Sequence, residues 1–411
     1  MSNQSFAALR HPGFRMFFVG NATDMLADNM EHVISYWVLN DQFHLPALGG
    51  FAVIAHWLPY LLFSFPVGHL TDRFDPRRMI QLGMLLFMSV SLCWGILFAT
   101  HTLQMWHAMV LLTVHGIAGV FWSAPAQVLL HDIVGTSQLQ SAVRSNASAR
   151  YIGTMLGPAV GSGLMLLMKP AYAMFLNMLI YLPMLLWLWR APYGPKFRSG
   201  EQRPLKPMNG FRDVFDTLRV IAKDRTNLSM ILLAGFASFF IGTAYQAQMP
   251  AFAHALGHGD PGISYSLLLG ADAAGALFAG LMLEAHGLLH PKPRSALFLA
   301  SIWCVALASF ALTSTYFIAV PMLFIAGFVE LSFGAMSQTI VQMHAPAEIR
   351  GRVIGVFVMA AMGMRTFSGS TVGLLGQKIG IHYSLSLSAV MLLLVVIAIS
   401  TWLGRERLVA Q

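Results

Sequence analysis

Asn21, Asp24, Asp28, Glu31 and His32 stand in one largely apolar run near the start of the chain. At about 100° per helical residue, positions 21, 24, 28 and 31 fall within roughly 80° of one another, so a helix puts all three acids on one face. Such a stripe cannot face lipid, where an ionised carboxylate is costly, and belongs against a bundle interior or a water-filled cavity. Grouped carboxylates in that setting are candidate carriers of a proton. Asp28 is the first choice, because it lies at mid-helix depth between Asp24 and Glu31. Asp24, Asp28 and His32 also recur every fourth residue, so two carboxylates and an imidazole can face one divalent cation. That is a second chemistry for the same stripe.

Three more charges interrupt apolar runs later in the chain: Asp272, Glu330 and Arg365. Glu330 and Arg365 fall near the middle of their runs, where pairing with each other or with an acid of the first run is the least costly arrangement. They join Asp24, Asp28, Glu31 and His32 as candidates for proton coupling or cavity lining. His56, His107 and His115 read as polar packing or pore lining. No catalytic triad and no glycine-rich loop ending in Gly-Lys-Ser/Thr is present. An enzyme is not expected, nor a cofactor, nor a dedicated metal centre. Cys93 and Cys304 lie far apart in apolar runs and suggest no disulfide.

The elements that must position these residues follow from composition. The chain has 411 residues, 56% hydrophobic and only 10% charged, well below the roughly 25% charge of soluble domains. Helix-length apolar runs of about 20 residues each recur throughout, which defines an all-α membrane protein. Twelve spans are expected, at 14–39, 47–70, 79–99, 103–126, 149–168, 170–189, 227–251, 262–285, 295–312, 315–338, 353–376 and 383–403. Of the 25 lysines and arginines, only Lys169 and Lys378 fall on one side of this map and Arg365 inside a span. The rest share the other side with both termini, which are therefore expected in the cytoplasm. The net charge of +8 reflects these basic loops, and nucleic acid is not an expected partner. The first residues have no basic-then-apolar leader with a small-residue cleavage site.

Residues 190–226 are basic, then amphipathic from Phe211 to Ile221. They are expected to form a cytoplasmic linker with a surface helix between two six-helix halves, 1–189 and 227–411. Duplication leaves traces at one constant offset: Gly68 and Asp72 recur as Gly280 and Glu284, and Gly157 and Gly161 recur as Gly369 and Gly373. Paired halves of this kind are common in secondary transporters.

Three motifs remain. Gly68-His69-Leu70-Thr71-Asp72-Arg73-Phe74-Asp75-Pro76-Arg77-Arg78 is a polar knot between two apolar runs. Gly153, Gly157, Pro158 and Gly161 lie on the fifth span, where small residues at every fourth position form a groove for close helix packing. Pro346, Glu348, Ile349, Arg350, Gly351 and Arg352 precede the eleventh span. In these three stretches the chain resembles the major facilitator superfamily, in the branch of enterobactin exporters and macrolide-efflux proteins. Ala149 and Ser162 stand where the glycine motif of exporting antiporters has glycines.

The resemblance implies twelve transmembrane helices in two pseudo-symmetric halves. It also implies that Gly68, Asp72, Arg73, Arg77 and Arg78 form a conformational latch in a bacterial inner-membrane protein. The function expected is proton-coupled export of a small amphipathic molecule, a drug, metabolite or siderophore, by alternating access. The partners are then substrate, protons and lipid, and the chain is expected to act as a monomer. Two alternatives stay open: a divalent-metal transporter built on Asp24, Asp28 and His32, and a non-transporting receptor or scaffold on the same fold.

Overall fold

The structure is a computed structural model that describes residues 6–43, 46–197, 211–242, 244–257, 263–286, 290–368, 372 and 375–409. In order the chain forms α1 (Pro12–Phe43), α2 (Pro46–Arg73), α3 (Pro76–Thr100), α4 (Met105–Val134), α5 (Leu139–Leu167), α6 (Pro170–Ile180), α7 (Leu182–Arg190), α8 (Phe211–Lys223) and α9 (Arg225–Phe240). It continues through α10 (Ala244–Ala247), α11 (Met249–Ala255), α12 (Ile263–His286), α13 (Pro293–Leu312), α14 (Tyr316–His344), α15 (Arg350–Val358), α16 (Arg365–Ser368), α17 (Leu375–Ile379) and α18 (Ile381–Val409). No strand occurs among the described residues.

Helix starts follow local chemistry. Asp75 caps α3, its side chain accepting from the Arg77 N–H at 3.0 Å, and Pro76 supplies the preset first helical residue. Asp224 caps α9 in the same way through the Asn227 N–H at 3.2 Å. His107 closes a capping box at α4, its Nδ1 accepting from the Gln104 N–H at 3.1 Å. The amphipathic run that opens the linker's second part forms α8, with Asp213, Thr217 and Ile221 on its buried face and Phe215, Leu218 and Val220 exposed.

Eight helical stretches among the described residues are long and apolar enough to cross a membrane. The four remaining expected spans are accounted for by polarity or by position. α1 carries the acid stripe, and α5 carries Arg144 and Arg150. The spans expected at 262–285 and 353–376 run next to or through residues outside the described set, among them Gly369 and Gly373 of the repeat. α4 and α5 extend beyond the apolar runs at 103–126 and 149–168 as continuous helices, because a backbone whose hydrogen bonds are internal can leave the lipid without unwinding.

The chain divides into two compact units. One holds Ala7–Asn209 together with Ala347–Val358, and the other holds Gly210–Pro346 with Met359–Gln411. The first unit therefore includes α1 to α7 and also α15, which the sequence order places in the later half. A π-helical turn, Met359–Gly363, follows α15 at once. In the second unit this turn is held by the Ser238 hydroxyl, which donates to the Ala361 carbonyl at 2.7 Å.

Helix α1 is positioned mainly by α5. A Cβ added at Gly153 would lie 2.6 Å from the Met25 Cβ and 2.7 Å from the Leu26 nitrogen, and one at Gly157 would lie 2.5 Å from the Asn29 Cβ. Gly161 continues the groove against Met30, while Pro158 lies on the exposed face of α5. The Asn21 amide adds a polar tie to Asn146 of α5 at 2.7 Å. Beyond Glu31 along α1, Ile34 packs in a buried apolar cluster with Val90, Trp94, Ala108, Leu112 and Met174.

This contact makes Gly157→Leu a test of whether the groove holds the acid-bearing helix in place. A leucine there must push α1 away, and overpacking costs about 1–3 kcal/mol where neighbours cannot yield. The variant should insert in the membrane, unfold at lower temperature than wild type in detergent, and lose transport. Wild-type thermal stability together with wild-type transport would show that α1 is positioned by something else.

Candidate functional site

The structure gathers part of the acid stripe around a residue on another helix, His115 of α4. Its Nε2 lies 2.8 Å from Asp28 Oδ1 and its Nδ1 lies 2.8 Å from Glu31 Oε1. Asp28 also approaches the His32 Nδ1 at 3.8 Å, one turn along α1. The other oxygen of Glu31 accepts a hydrogen bond from the Ser91 hydroxyl of α3, and Ser91 accepts from the Asn177 amide of α6 at 3.1 Å. Four helices thus contribute to one polar chain: Asn177, Ser91, Glu31, His115, Asp28. Glu31 and His115 are each only 2% exposed.

Proton bookkeeping follows from the donors and acceptors. A neutral imidazole has one N–H, yet both nitrogens of His115 face a carboxylate. With both acids ionised, one of the two contacts would set lone pair against lone pair. The array is satisfied when it holds one further proton, on His115 or on a carboxyl. Removal of that proton breaks a contact, so occupancy by the proton is tied to the geometry of α1 against α4.

His56 of α2 completes the surroundings. The rings of His32, His56 and His115 lie with centroids 4.7 to 5.7 Å apart, and Phe87 packs edge-on to His115 at 4.8 Å. The approach of α2 to α4 depends on Gly116, where a Cβ would collide with the Ala55 carbonyl oxygen. Gly116 follows His115 and Ala55 precedes His56, so this close crossing is what sets the two imidazoles side by side.

Asp24 is not part of this cluster. It is 3% exposed, and neither carboxylate oxygen has a hydrogen-bond partner among the described residues. A carboxylate so placed needs a proton or a cation to be tolerated. Asn21 turns to α5 instead. The stripe read from helical spacing is therefore split by the fold into a partnered part, Asp28 and Glu31, and an unpartnered acid one turn earlier.

The second unit has its own pair of buried acids. The Tyr245 hydroxyl lies 3.1 Å from Asp272 Oδ1 and 3.3 Å from Glu330 Oε2, and the Gln246 amide donates to Asp272 Oδ2 at 3.0 Å. One hydroxyl hydrogen cannot serve both carboxyls fully, so the two acids share it, and Asp272 has the Gln246 amide besides. Arg365 is near enough to Glu330 for their charges to interact. Close crossing of α12 and α14 makes the pair possible: a Cβ at Gly327 would collide with the Asp272 carbonyl oxygen, and one at Gly275 with that of Phe324.

The residues of the polar knot separate into two groups. Asp72, near the end of α2, caps α15: its Oδ1 accepts from the Gly351 N–H at 2.5 Å and its Oδ2 from the Arg352 N–H at 3.1 Å and Arg352 Nε at 3.4 Å. Gly68 lets this happen, because a Cβ there would strike the Gly351 carbonyl oxygen. Arg73 ends α2, partly buried. Arg77 and Arg78 turn elsewhere. Arg77 grips Asp75 at 2.5 Å and donates to the Ala191 carbonyl beyond α7, and Arg78 binds Gln81 at 2.9 Å and stacks over Trp189.

The sequence reading missed His115 and His56 as partners of the acids, and also Ser91, Asn177, Tyr245 and Gln246. Each is a polar residue in an apolar run, which was the available signal. Which acid each one meets depends on helix crossings that no spacing encodes.

Long apolar helices with buried acids in each unit are features that recur in secondary transporters. Residues 3–406 match the family described as transmembrane secretion effector, and the chain belongs to that family of the major facilitator superfamily. Macrolide efflux protein A of Streptococcus pyogenes is 20% identical over 393 residues, 93% of this chain and 94% of that protein. Solved structures share the fold. A bacterial homologue of the iron transporter ferroportin in an outward-facing state has a TM-score of 0.75 at 15% identity, covering 95% of this chain and 99% of that one. The human organic anion transporter MFSD10 gives 0.72 at 14% identity, with 94% and 99% covered. The E. coli fucose:proton symporter FucP gives 0.70 at 13%, with 95% and 98% covered.

The cap at α15 gives a prediction for Asp72→Asn. The substitution keeps the shape, but an amide offers one acceptor oxygen where the carboxylate offers two, so one of the two backbone N–H bonds and the charge facing Arg352 are lost. Hydrogen exchange at Gly351 and Arg352 should quicken, and transport should slow with substrate affinity little changed. Loss of substrate binding with unaltered exchange at these amides would mean that Asp72 acts on the cavity and not on α15.

Proposed function

We propose that this transporter exports small amphipathic molecules against their gradient by alternating access, driven by protons, in a bacterial inner membrane with both termini in the cytoplasm. The observation that carries the reading is His115 set between Asp28 and Glu31, an array that requires one proton beyond those of ionised acids and a neutral imidazole. A coupling site must change its hydrogen bonds when its proton leaves, because only then does protonation bias one conformation over another. Here loss of the proton sets α1 against α4 at Asp28 or Glu31. Asp24, buried one turn earlier with no hydrogen-bond partner among the described residues, is the neighbouring acceptor to which the proton, or a cationic group of the cargo, can pass.

Outward direction is supported by the family description and by the relative named for macrolide efflux. The second unit's Asp272 and Glu330 form a further buried pair that can take part in the same cycle. Latch residues Gly68 and Asp72 hold α15 in the state described here, and Arg73, Arg77 and Arg78 keep the loop on the cytoplasmic side. The buried acids weigh against a receptor or scaffold, which gains nothing from charges removed from water.

Reconstituted vesicles with a macrolide as the first probe test this. Wild-type protein should move the probe uphill when a pH gradient is imposed. Asp28→Asn, which fixes one end of the array in an uncharged form, should reduce uphill movement to the level of protein-free vesicles while leaving downhill exchange partly intact. His115→Gln should do the same by removing the bridge. If Asp28→Asn pumps uphill as well as wild type, the proton is carried elsewhere, and Glu330→Gln is then the variant that should fail.

A further inference from the structure

We propose that His32, His56 and His115, with Asp28, form a binding site for a divalent first-row transition metal ion of the zinc, cobalt or nickel type. One ligand nitrogen from each of the three histidines lies within 4.8 Å of the other two. Tetrahedral coordination at about 2.0–2.1 Å would set ligand atoms about 3.4 Å apart. A bound ion would draw the three nitrogens inward by rotation about the side-chain bonds. Asp28 lies beside two of the three rings, 2.8 Å from His115 and 3.8 Å from His32, and is placed to be the fourth ligand.

The surroundings have the form that metal-binding histidines need. A ligating imidazole is commonly fixed by a carboxylate on its other nitrogen, which sets tautomer and ring orientation. Glu31 stands on Nδ1 of His115 at 2.8 Å and is itself held by Ser91, which Asn177 holds in turn. Nε2 of His115 is thereby turned toward Asp28 and the other rings. Three imidazoles and one carboxylate suit zinc, cobalt, nickel or copper, and offer too few oxygens for calcium or magnesium. Spacing along α1 supplied only Asp24, Asp28 and His32. The fold replaces Asp24 with histidines from α2 and α4 and so supplies a complete ligand set. The metal and the coupling proton compete for the same Nε2 lone pair of His115, so they occupy it in turn, and the geometry of the metal site does not itself require the proton-coupled reading.

The test is titration of Co2+ into the full-length, tag-free protein in detergent, read by visible absorption and calorimetry. One Co2+ per chain with the intense bands of a tetrahedral nitrogen-ligated ion is expected, displaced by Zn2+. His56→Gln, which keeps roughly the size of the side chain and leaves the His115 contacts to Asp28 and Glu31 in place, should abolish these bands. Glu31→Gln, which removes only the orienting carboxylate, should weaken binding by about 10–100-fold. Absence of the bands in wild type, or unchanged binding in both His56→Gln and His32→Gln, overturns the site. Vesicle transport measured in the presence of a chelator separates the two readings. Proton-driven export without Co2+ binding overturns the metal site alone, and Co2+ binding without proton-driven export supports the site and overturns the proton reading.

Discussion

His115 between Asp28 and Glu31 is the contact on which the first unit depends. An ionised carboxylate removed from water is tolerated only with a partner of opposite charge or a set of donors. Two such groups on one helix turn would otherwise repel each other and strain α1 out of the bundle. One imidazole between them satisfies both once the array holds one further proton. The cost of burying the acids then becomes a constraint that fixes α4 against α1, and through Ser91 and Asn177 it reaches α3 and α6 as well.

Small residues make this arrangement reachable. Apolar side chains gain little by leaving lipid for a helix interface, so membrane helices associate through close packing and internal hydrogen bonds. Gly153 and Gly157 bring α5 against α1, Gly116 brings α4 against α2, and Gly327 with Gly275 brings α12 against α14. Each crossing lies within a turn or two of a buried acid or histidine. Packing and polar chemistry are therefore one design in this chain: the backbones approach closely where charged side chains must meet.

The contact of Asp72 with α15 works on different terms. The acid accepts from backbone N–H groups that begin a helix and would otherwise lack acceptors. Such a cap is worth little compared with the packing of a whole helix, and it is directional. Its bonds lie between the ends of two separate helices, so losing it would not by itself unfold either one. Gly68 and Gly351 make the cap short by removing side chains from both sides of the crossing.

Composition and periodicity alone determined that the chain is helical and lies in a membrane, because a bilayer forces every backbone group into internal hydrogen bonds. They also put Asp24, Asp28 and Glu31 on one face and made the small-residue groove at Gly153, Gly157 and Gly161 visible, since both follow from the helical repeat. The tertiary structure decided which acid meets what. Asp24 and Asp28 look equivalent along α1, yet among the described residues one has no hydrogen bond and the other is bound to His115. His115 and His56 look like isolated polar residues in their own helices until α4 and α2 cross at Gly116. Likewise, nothing local in Tyr245 connects it to both Asp272 and Glu330. A helix repeat fixes the direction of a side chain relative to its own axis, whereas its partner is set by crossing positions between distant segments, and those depend on the sum of all the contacts in the bundle.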